Sequence, residues 1–175
     1  MATAVMIPLE QYLSTSYEHD CEWIEGEIRE RGMPDEYHSA IQMFLLQYFA
    51  NLRQDLGVRV RPELRLQVAP RRYRIPDVLL LPVGAPFQAV PDTPPVLCVE
   101  ILSPDDRASE LQEKIDDYVR MGVTAIWIIN PRLRKAFIIE QGGMVPVSEL
   151  TISGMAFKLS ANDVFAELDE LETHC

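Results

Sequence analysis

Two carboxylates stand where carboxylates are costly. Asp77 follows Pro76 at the entry to Val78-Leu79-Leu80-Leu81, and Glu100 lies inside Leu97-Cys98-Val99-Glu100-Ile101-Leu102. An ionised acid in an apolar strand is expensive unless something cationic meets it. If the two strands are neighbours, both side chains reach one spot. Two oxygen donors there suit Mg²⁺ or Mn²⁺, which prefer carboxylate and water to nitrogen or sulfur. Taken singly, each acid fits equally well as a backbone cap or an arginine partner. The third candidate is Lys114, in Leu111-Gln112-Glu113-Lys114-Ile115-Asp116-Asp117-Tyr118. It borders the helix's apolar stripe of Leu111, Ile115 and Tyr118 rather than opposing it. From that position its ammonium can extend toward the strand ends that carry Asp77 and Glu100. An intrahelical pair with Glu110 or Asp117 is the competing assignment.

Weaker candidates flank these three. His38 lies beside the apolar stripe of a long helix and either reaches the site or sits on the helix surface. Glu22, Glu25 and Glu27 straddle a hairpin, where one can supply a third carboxylate while the others face solvent. The run Arg71-Arg72-Tyr73-Arg74 leads straight into Asp77, either to grip phosphates or as a plain basic loop.

The elements that position these residues are legible in the hydrophobic spacing. Ile7 to Leu13 opens with a short helix, and Cys21 to Ile28 forms a hairpin turning at Glu25-Gly26. Tyr37, Ile41, Phe44, Leu45, Tyr48, Phe49, Leu52 and Leu56 recur at helical spacing over about 37–55, and Gly57 ends that helix. Val58, Val60, Leu64, Leu66 and Val68 alternate with Arg59, Arg61, Glu63, Arg65 and Gln67. This spacing predicts one half-exposed strand over 58–68, bent near Pro62. Segments 75–81, 96–102 and 125–129 are almost wholly apolar, as strands buried on both faces are. Ser103-Pro104-Asp105-Asp106 carries a serine cap, a first-position proline and early acids, so a helix is expected over 104–121. Strands at about 135–140 and 144–148 and a terminal helix over 162–168 complete the pattern. The result is an α/β sandwich with a mixed central sheet flanked by helices.

The 175 residues suit one domain with the helix and hairpin of 1–36 appended, and 47% apolar with 25% charged residues excludes wholesale disorder. No apolar run approaches the ~18–20 residues of a membrane span, and Met1 to Pro8 lacks the basic and hydrophobic regions of a secretory signal. Cys21, Cys98 and Cys175 are odd in number and widely spaced, and His19, His38 and His174 are scattered. Neither a disulfide framework nor a zinc knuckle follows, and a cytoplasmic location does. No G-x-S-x-G, P-loop or H-E-x-x-H occurs. The net charge of −11 is uneven: residues 37–74 hold seven arginines against Asp55 and Glu63, a local balance of +5. An acidic total discourages non-specific duplex binding. The arginine patch is either a phosphate-facing groove or a solvated strand face.

Arg74-Ile-Pro-Asp-Val-Leu-Leu-Leu-Pro82, Pro95-Val-Leu-Cys-Val-Glu-Ile-Leu-Ser-Pro104, the Lys114 to Tyr118 helix and Met121 to Pro131 together resemble the Uma-two family of restriction endonucleases. That family belongs to the PD-(D/E)XK nuclease superfamily. The likeness extends to Leu9–Leu13, Glu22–Ile28 and His38, and onward from Gly154 to Phe165. It implies a restriction-endonuclease-like core and a Mg²⁺- or Mn²⁺-dependent endonuclease acting on nucleic acid, DNA above all. The PD acid then falls on Asp77 and the second acid on Glu100, both as metal ligands. The superfamily's usual lysine position falls on Leu102, which cannot serve, and as in the family the lysine is carried by the following helix as Lys114. A catalytically silent interaction protein on the same scaffold is the competing expectation. A homodimer is also expected, through apolar strand and loop surface near Pro82–Pro95.

Overall fold

The computed structural model describes residues 6–172; His174, Cys175 and most of the Met1–Pro8 segment lie outside the described residues. A short helix, α1 (Leu9–Ser14), precedes a hairpin of β1 (Glu22–Ile24) and β2 (Glu27–Arg29). Glu25 and Gly26 turn it with φ of 54° and 107°, the paired left-handed residues that a two-residue hairpin loop requires. Helix α2 (Glu36–Leu56) starts where the Asp35 carboxylate accepts the His38 backbone N–H at 2.9 Å, and ends at Gly57 with φ of 63°. Its buried stripe is His38, Ile41, Leu45 and Phe49.

The stretch expected as one bent strand over 58–68 is two strands in two sheets. Pro62 cannot donate to a ladder and Glu63 adopts φ of 43°, so the chain leaves β3 (Val58–Pro62) and re-enters as β4 (Leu66–Ala69). Next come β5 (Arg72–Arg74), β6 (Val78–Pro82) and β7 (Leu97–Ile101). Helix α3 (Ala108–Met121) starts later than the serine cap suggested. The Ser103 N–H instead donates to Asp106 Oδ2 at 2.6 Å, a local turn that competes with helix initiation. After β8 (Ala125–Asn130), β9 (Lys135–Glu140) and β10 (Gly143–Val147) come β11 (Glu149–Thr151), β12 (Lys158–Ser160) and α4 (Ala161–Glu172).

The central sheet is mixed and six-stranded, ordered β10-β9-β8-β7-β6-β3, with β7 and β8 parallel and the other pairs antiparallel. Val78, Leu80, Val99, Ile101, Trp127 and Ile129 face α2 and α4, where Trp127 stacks on Phe157 and tilts against Phe49. Leu79, Leu81, Cys98, Ile126 and Ile128 face Ile115 and Tyr118 of α3 and Leu66 and Val68 of β4. Period-two alternation of two apolar sets thus buries both faces of the sheet, and Val78, Leu80, Val99, Ile101, Ile126 and Ile128 in the segments expected as buried strands are all buried. A four-stranded sheet ordered β2-β1-β5-β4 stands beside it, sealed by Tyr12, Trp23 and Tyr73. No helix among the described residues is long and apolar enough to cross a membrane.

Candidate active site

The register of the central sheet decides where the two acids meet. Strands β6 and β7 are antiparallel with Val78 opposite Val99, so one step further Asp77 lies opposite Glu100. The Asp77 N–H donates to the Val99 carbonyl at 3.0 Å, and Asp77 Oδ2 accepts the Ile101 N–H at 2.7 Å. Opposed residues of such a pair share a face, with Cβ atoms about 5 Å apart. Both side chains are buried, 4% and 5% exposed.

Lys114 meets them from α3. Its Nζ lies 2.8 Å from Glu100 Oε2 and 3.2 Å from Glu22 Oε1, so the pair with Glu110 or Asp117 does not form. Tyr118, one turn further along the same face, donates its hydroxyl to Glu100 Oε1 at 2.6 Å. Glu22 is the hairpin acid that turns inward. Its Oε1 also accepts the Ile75 N–H at 3.1 Å, and its Oε2 pairs with Arg74 at 2.8 Å. Glu25 is exposed and Glu27 is half-buried on β2.

On the opposite side, Asp77 Oδ1 accepts from the Arg31 guanidinium at 2.6 Å, and His38 Nε2 stands 3.3 Å from Oδ2. His38 is therefore no surface histidine. It sits three residues before Ile41 on the inner stripe of α2, and its buried Nδ1 has no hydrogen-bond partner among the described residues.

The two acids are driven apart in acidity. Burial pushes the Glu100 carboxyl up to about 7; the Lys114 ammonium opposes this, and the charges of Asp77 and Glu22 add to it. For Asp77, burial works in the same direction, but the His38 hydrogen bond and the charges of His38, Arg31 and Lys114 hold it below its ordinary value. Burial disfavours the charged forms of His38 and Lys114, and in each case the neighbouring carboxylates win and raise the group. Paired titratable groups with divergent acidities mark acid–base sites.

Of the basic run ahead of Asp77, Arg71 stays in an exposed turn, while Arg72 to Arg74 form neither a loop nor a phosphate clamp. Those three residues are strand β5, with Arg72 bound to Asp117 at 2.8 Å and Arg74 bound to Glu22 and Asp117, all behind the site. Glu113 extends this lattice by pairing with Arg29 and Arg72. Burial alone would raise the Glu113 carboxyl, but hydrogen bonds from Arg72 and Arg29 and the charge of Arg74 hold it at about 2. An unfolded glutamate titrates near ~4.3, so this contribution is complete above pH ~5 and is lost as pH falls toward ~2. Glu113→Gln should flatten the acid limb of a plot of melting temperature against pH. The loss should be about 1–2 kcal/mol after allowance for partial exposure, and an unchanged limb would contradict the assignment.

A cavity of about 50 Å³ lies against Glu22, Arg31, Arg74, Glu100 and Lys114. At ~15 Å³ per water it has room for a few solvent molecules. Among the described residues no group of three or more His, Cys, Asp or Glu side chains is spaced to hold a metal ion. The donors facing one another are two carboxylates, Asp77 and Glu100, with oxygen alone to offer. That set fits Mg²⁺ or Mn²⁺, which take one or two carboxylates and complete their shell with water.

Sequence reasoning missed Arg31 and Tyr118. Tyr118 had a signal, since it shares the stripe of Lys114 and carries a hydroxyl into an apolar face. Arg31 had none: it arrives from coil after the hairpin, and only the fold brings it to Asp77.

A mixed sheet with opposed acids at the ends of two adjacent strands and a lysine helix laid over them is an α/β fold of restriction-endonuclease-like type. The chain belongs to the Uma2 family, described as "putative restriction endonuclease", whose model matches residues 9–167. Among solved structures it is similar to a putative nuclease belonging to DUF820 from Anabaena variabilis ATCC 29413. The TM-score is 0.79 at 23% identity, over 93% of this chain and 99% of that one, a likeness of fold. A DrdV–DNA complex matches with a TM-score of 0.44 at 15% identity, over 77% of this chain and 11% of that one. A search of curated proteins finds no match.

Proposed function

We propose that the chain is a divalent-cation-dependent endonuclease that hydrolyses phosphodiester bonds of DNA, with Asp77, Glu100 and Lys114 as its catalytic residues. The observation that carries this is the β6–β7 register, which sets Asp77 opposite Glu100 while the Lys114 ammonium closes on Glu100. Family membership supports it. In this reading the chain acts as one restriction-endonuclease-like domain, whose hairpin supplies Glu22 to hold Lys114 from behind.

Asp77 and Glu100 would hold Mg²⁺ or Mn²⁺, which supplies Lewis acidity to a phosphoryl oxygen and makes an attacking water more acidic at neutral pH. Lys114 keeps one ammonium hydrogen on Glu100 and one on Glu22, and has a third to orient that water or meet charge growing on the phosphate. Tyr118 fixes the second Glu100 oxygen, so the carboxylate cannot rotate away. His38 does the same for Asp77, and Arg31 balances its charge when no cation is bound. The water oxygen gives up a proton to solvent as it bonds to phosphorus, the bridging P–O bond breaks in line, and the departing oxygen takes a proton from solvent.

One observation favours the competing reading of a catalytically silent interaction protein. Every oxygen of the two acids already has a partner within the chain: Arg31, His38 and the Ile101 N–H on Asp77, and Lys114 and Tyr118 on Glu100. Supercoiled plasmid incubated with Mg²⁺ or Mn²⁺ separates the two. Nicked and linear products are expected from the wild type and none from Glu100→Gln, which keeps the hydrogen-bonding shape. An intact plasmid with either ion supports the silent reading.

A further inference from the structure

We propose that the exposed β3 edge of the six-stranded sheet, with Arg59 and Arg61 on the strand and Arg53 and Phe87 beside it, docks single-stranded DNA and leads it toward Asp77. This rests on the nuclease reading above and names the form in which the substrate arrives.

The first observation is a charge imbalance. Of the seven arginines between residues 37 and 74, Arg65 is consumed by Asp20, and Arg72 and Arg74 by the lattice behind the site. Arg71 stands apart in the turn before β5, over the Trp23 ring and on the Glu25 carbonyl. Arg53, Arg59 and Arg61 line one depression and, like Arg71, form no ion pair among the described residues, in a chain whose net charge is −11. Their hydrogen bonds go to carbonyls: Arg53 to Ala50, Arg59 to Ala85 and Pro86, Arg61 to Val60. Carbonyl oxygens leave the guanidinium charge uncompensated, and Arg59 Nε is buried with no hydrogen-bond partner among the described residues. With acids in such excess elsewhere, an acid-free arginine strip calls for an external polyanion.

The second observation is aromatic. Phe87, in the loop between β6 and β7, is 86% exposed, and the Arg59 guanidinium stands 5.9 Å from its ring centroid. A bare ring beside an arginine is a stacking platform for an unpaired base. A base inside a duplex has no free face to give it. Arg59 and Arg61 also line two adjoining depressions of about 580 and 210 Å³, the smaller one including Phe87.

Position supplies the third. Arg61 pairs with Leu79 and Arg59 with Leu81, two and four residues beyond Asp77 on the neighbouring strand. At ~3.3 Å per residue the arginines stand about 7 and 13 Å along the sheet from the acid, so a backbone laid on this edge runs toward the site. A second copy of the chain fits poorly. Two-fold pairing centred on Val60 would set Arg59 against Arg61, and Pro62 lacks a donor.

The test is fluorescence anisotropy of a labelled oligothymidine in EDTA, over a range of salt. Because nothing is cleaved under those conditions, the result stands apart from whether Asp77 and Glu100 catalyse. Phe87→Ala should weaken binding about tenfold. The double variant Arg59→Gln/Arg61→Gln should reduce the slope of log affinity against log salt by about 1.4, at ~0.7 per phosphate contact on single strands. Arg59→Lys/Arg61→Lys should restore the slope, which separates lost charge from lost fold. Affinity and slope equal to wild type in the glutamine variant would overturn the proposal. So would tighter binding of a duplex of equal length, or a dimer that the glutamine variant dissociates without change in DNA affinity.

Discussion

Lys114→Met is expected to lower the stability of the fold by about 3 kcal/mol near pH 8 and to abolish cleavage. The ammonium bridges two buried carboxylates, Glu100 at 2.8 Å and Glu22 at 3.2 Å. Methionine preserves the packing of the stem but leaves both acids without it. Removing one partner of a buried pair commonly costs about 3–5 kcal/mol, and the lower end applies because Arg74 still serves Glu22 and Tyr118 still serves Glu100. The loss should shrink near pH 6. Glu100 has a folded value of about 7, above that of an unfolded glutamate, and without the lysine it rises further. Stability linked to a raised carboxyl is present at low pH and fades as pH climbs through the folded value. Urea melts at the two pH values measure this. Equal midpoints for variant and wild type would mean that Lys114 makes only a surface pair, worth at most ~0.5 kcal/mol.

Asp77→Asn should cost cleavage about a thousandfold or more while leaving a folded protein. Asparagine still accepts the Ile101 N–H, so the strand junction survives. The charge does not, and Arg31 is left with Glu63 at 3.7 Å as its remaining acid. A stability loss of about 1–3 kcal/mol follows from the guanidinium's lost hydrogen-bonded partner. His38 should titrate lower once its carboxylate is gone, visible in its imidazole proton shifts. Wild type should also melt higher with Mn²⁺, because an ion that binds only the folded state stabilises it, and Asp77→Asn should not. Cleavage retained by the variant would remove Asp77 from the chemistry.

Much of this was legible in the chain because burial and periodicity act locally. Helix α2, the buried strands β6, β7 and β8 and the Glu25-Gly26 turn each announce themselves within a few residues. The two acids stood out as charges inside apolar runs, and Lys114 as a cation beside a helix stripe. Long-range partners were not legible. Arg31 reaches Asp77, and Arg74 reaches Glu22 and Asp117, across 43 to 52 residues, and no local pattern encodes such pairs. The run Arg71 to Arg74 looked like a surface for phosphates because four polar residues in a row resemble a loop. Yet strand alternation carries Arg72 and Arg74 toward buried acids, and two of the cations left over, Arg59 and Arg61, belong to β3. The late start of α3 has a similar origin, in a serine–aspartate turn that imitates a helix cap.

Calorimetric titration with Mn²⁺ near pH 8 tests most directly whether Asp77 and Glu100 form a cation-holding pair. One ion per chain is the predicted stoichiometry for wild type, with the binding heat lost in both Asp77→Asn and Glu100→Gln. Arg31 must yield its place on Asp77 as the ion enters, so Arg31→Gln should bind at least as tightly as wild type. A wild type that takes up no ion, or variants that bind it equally well, would contradict the account.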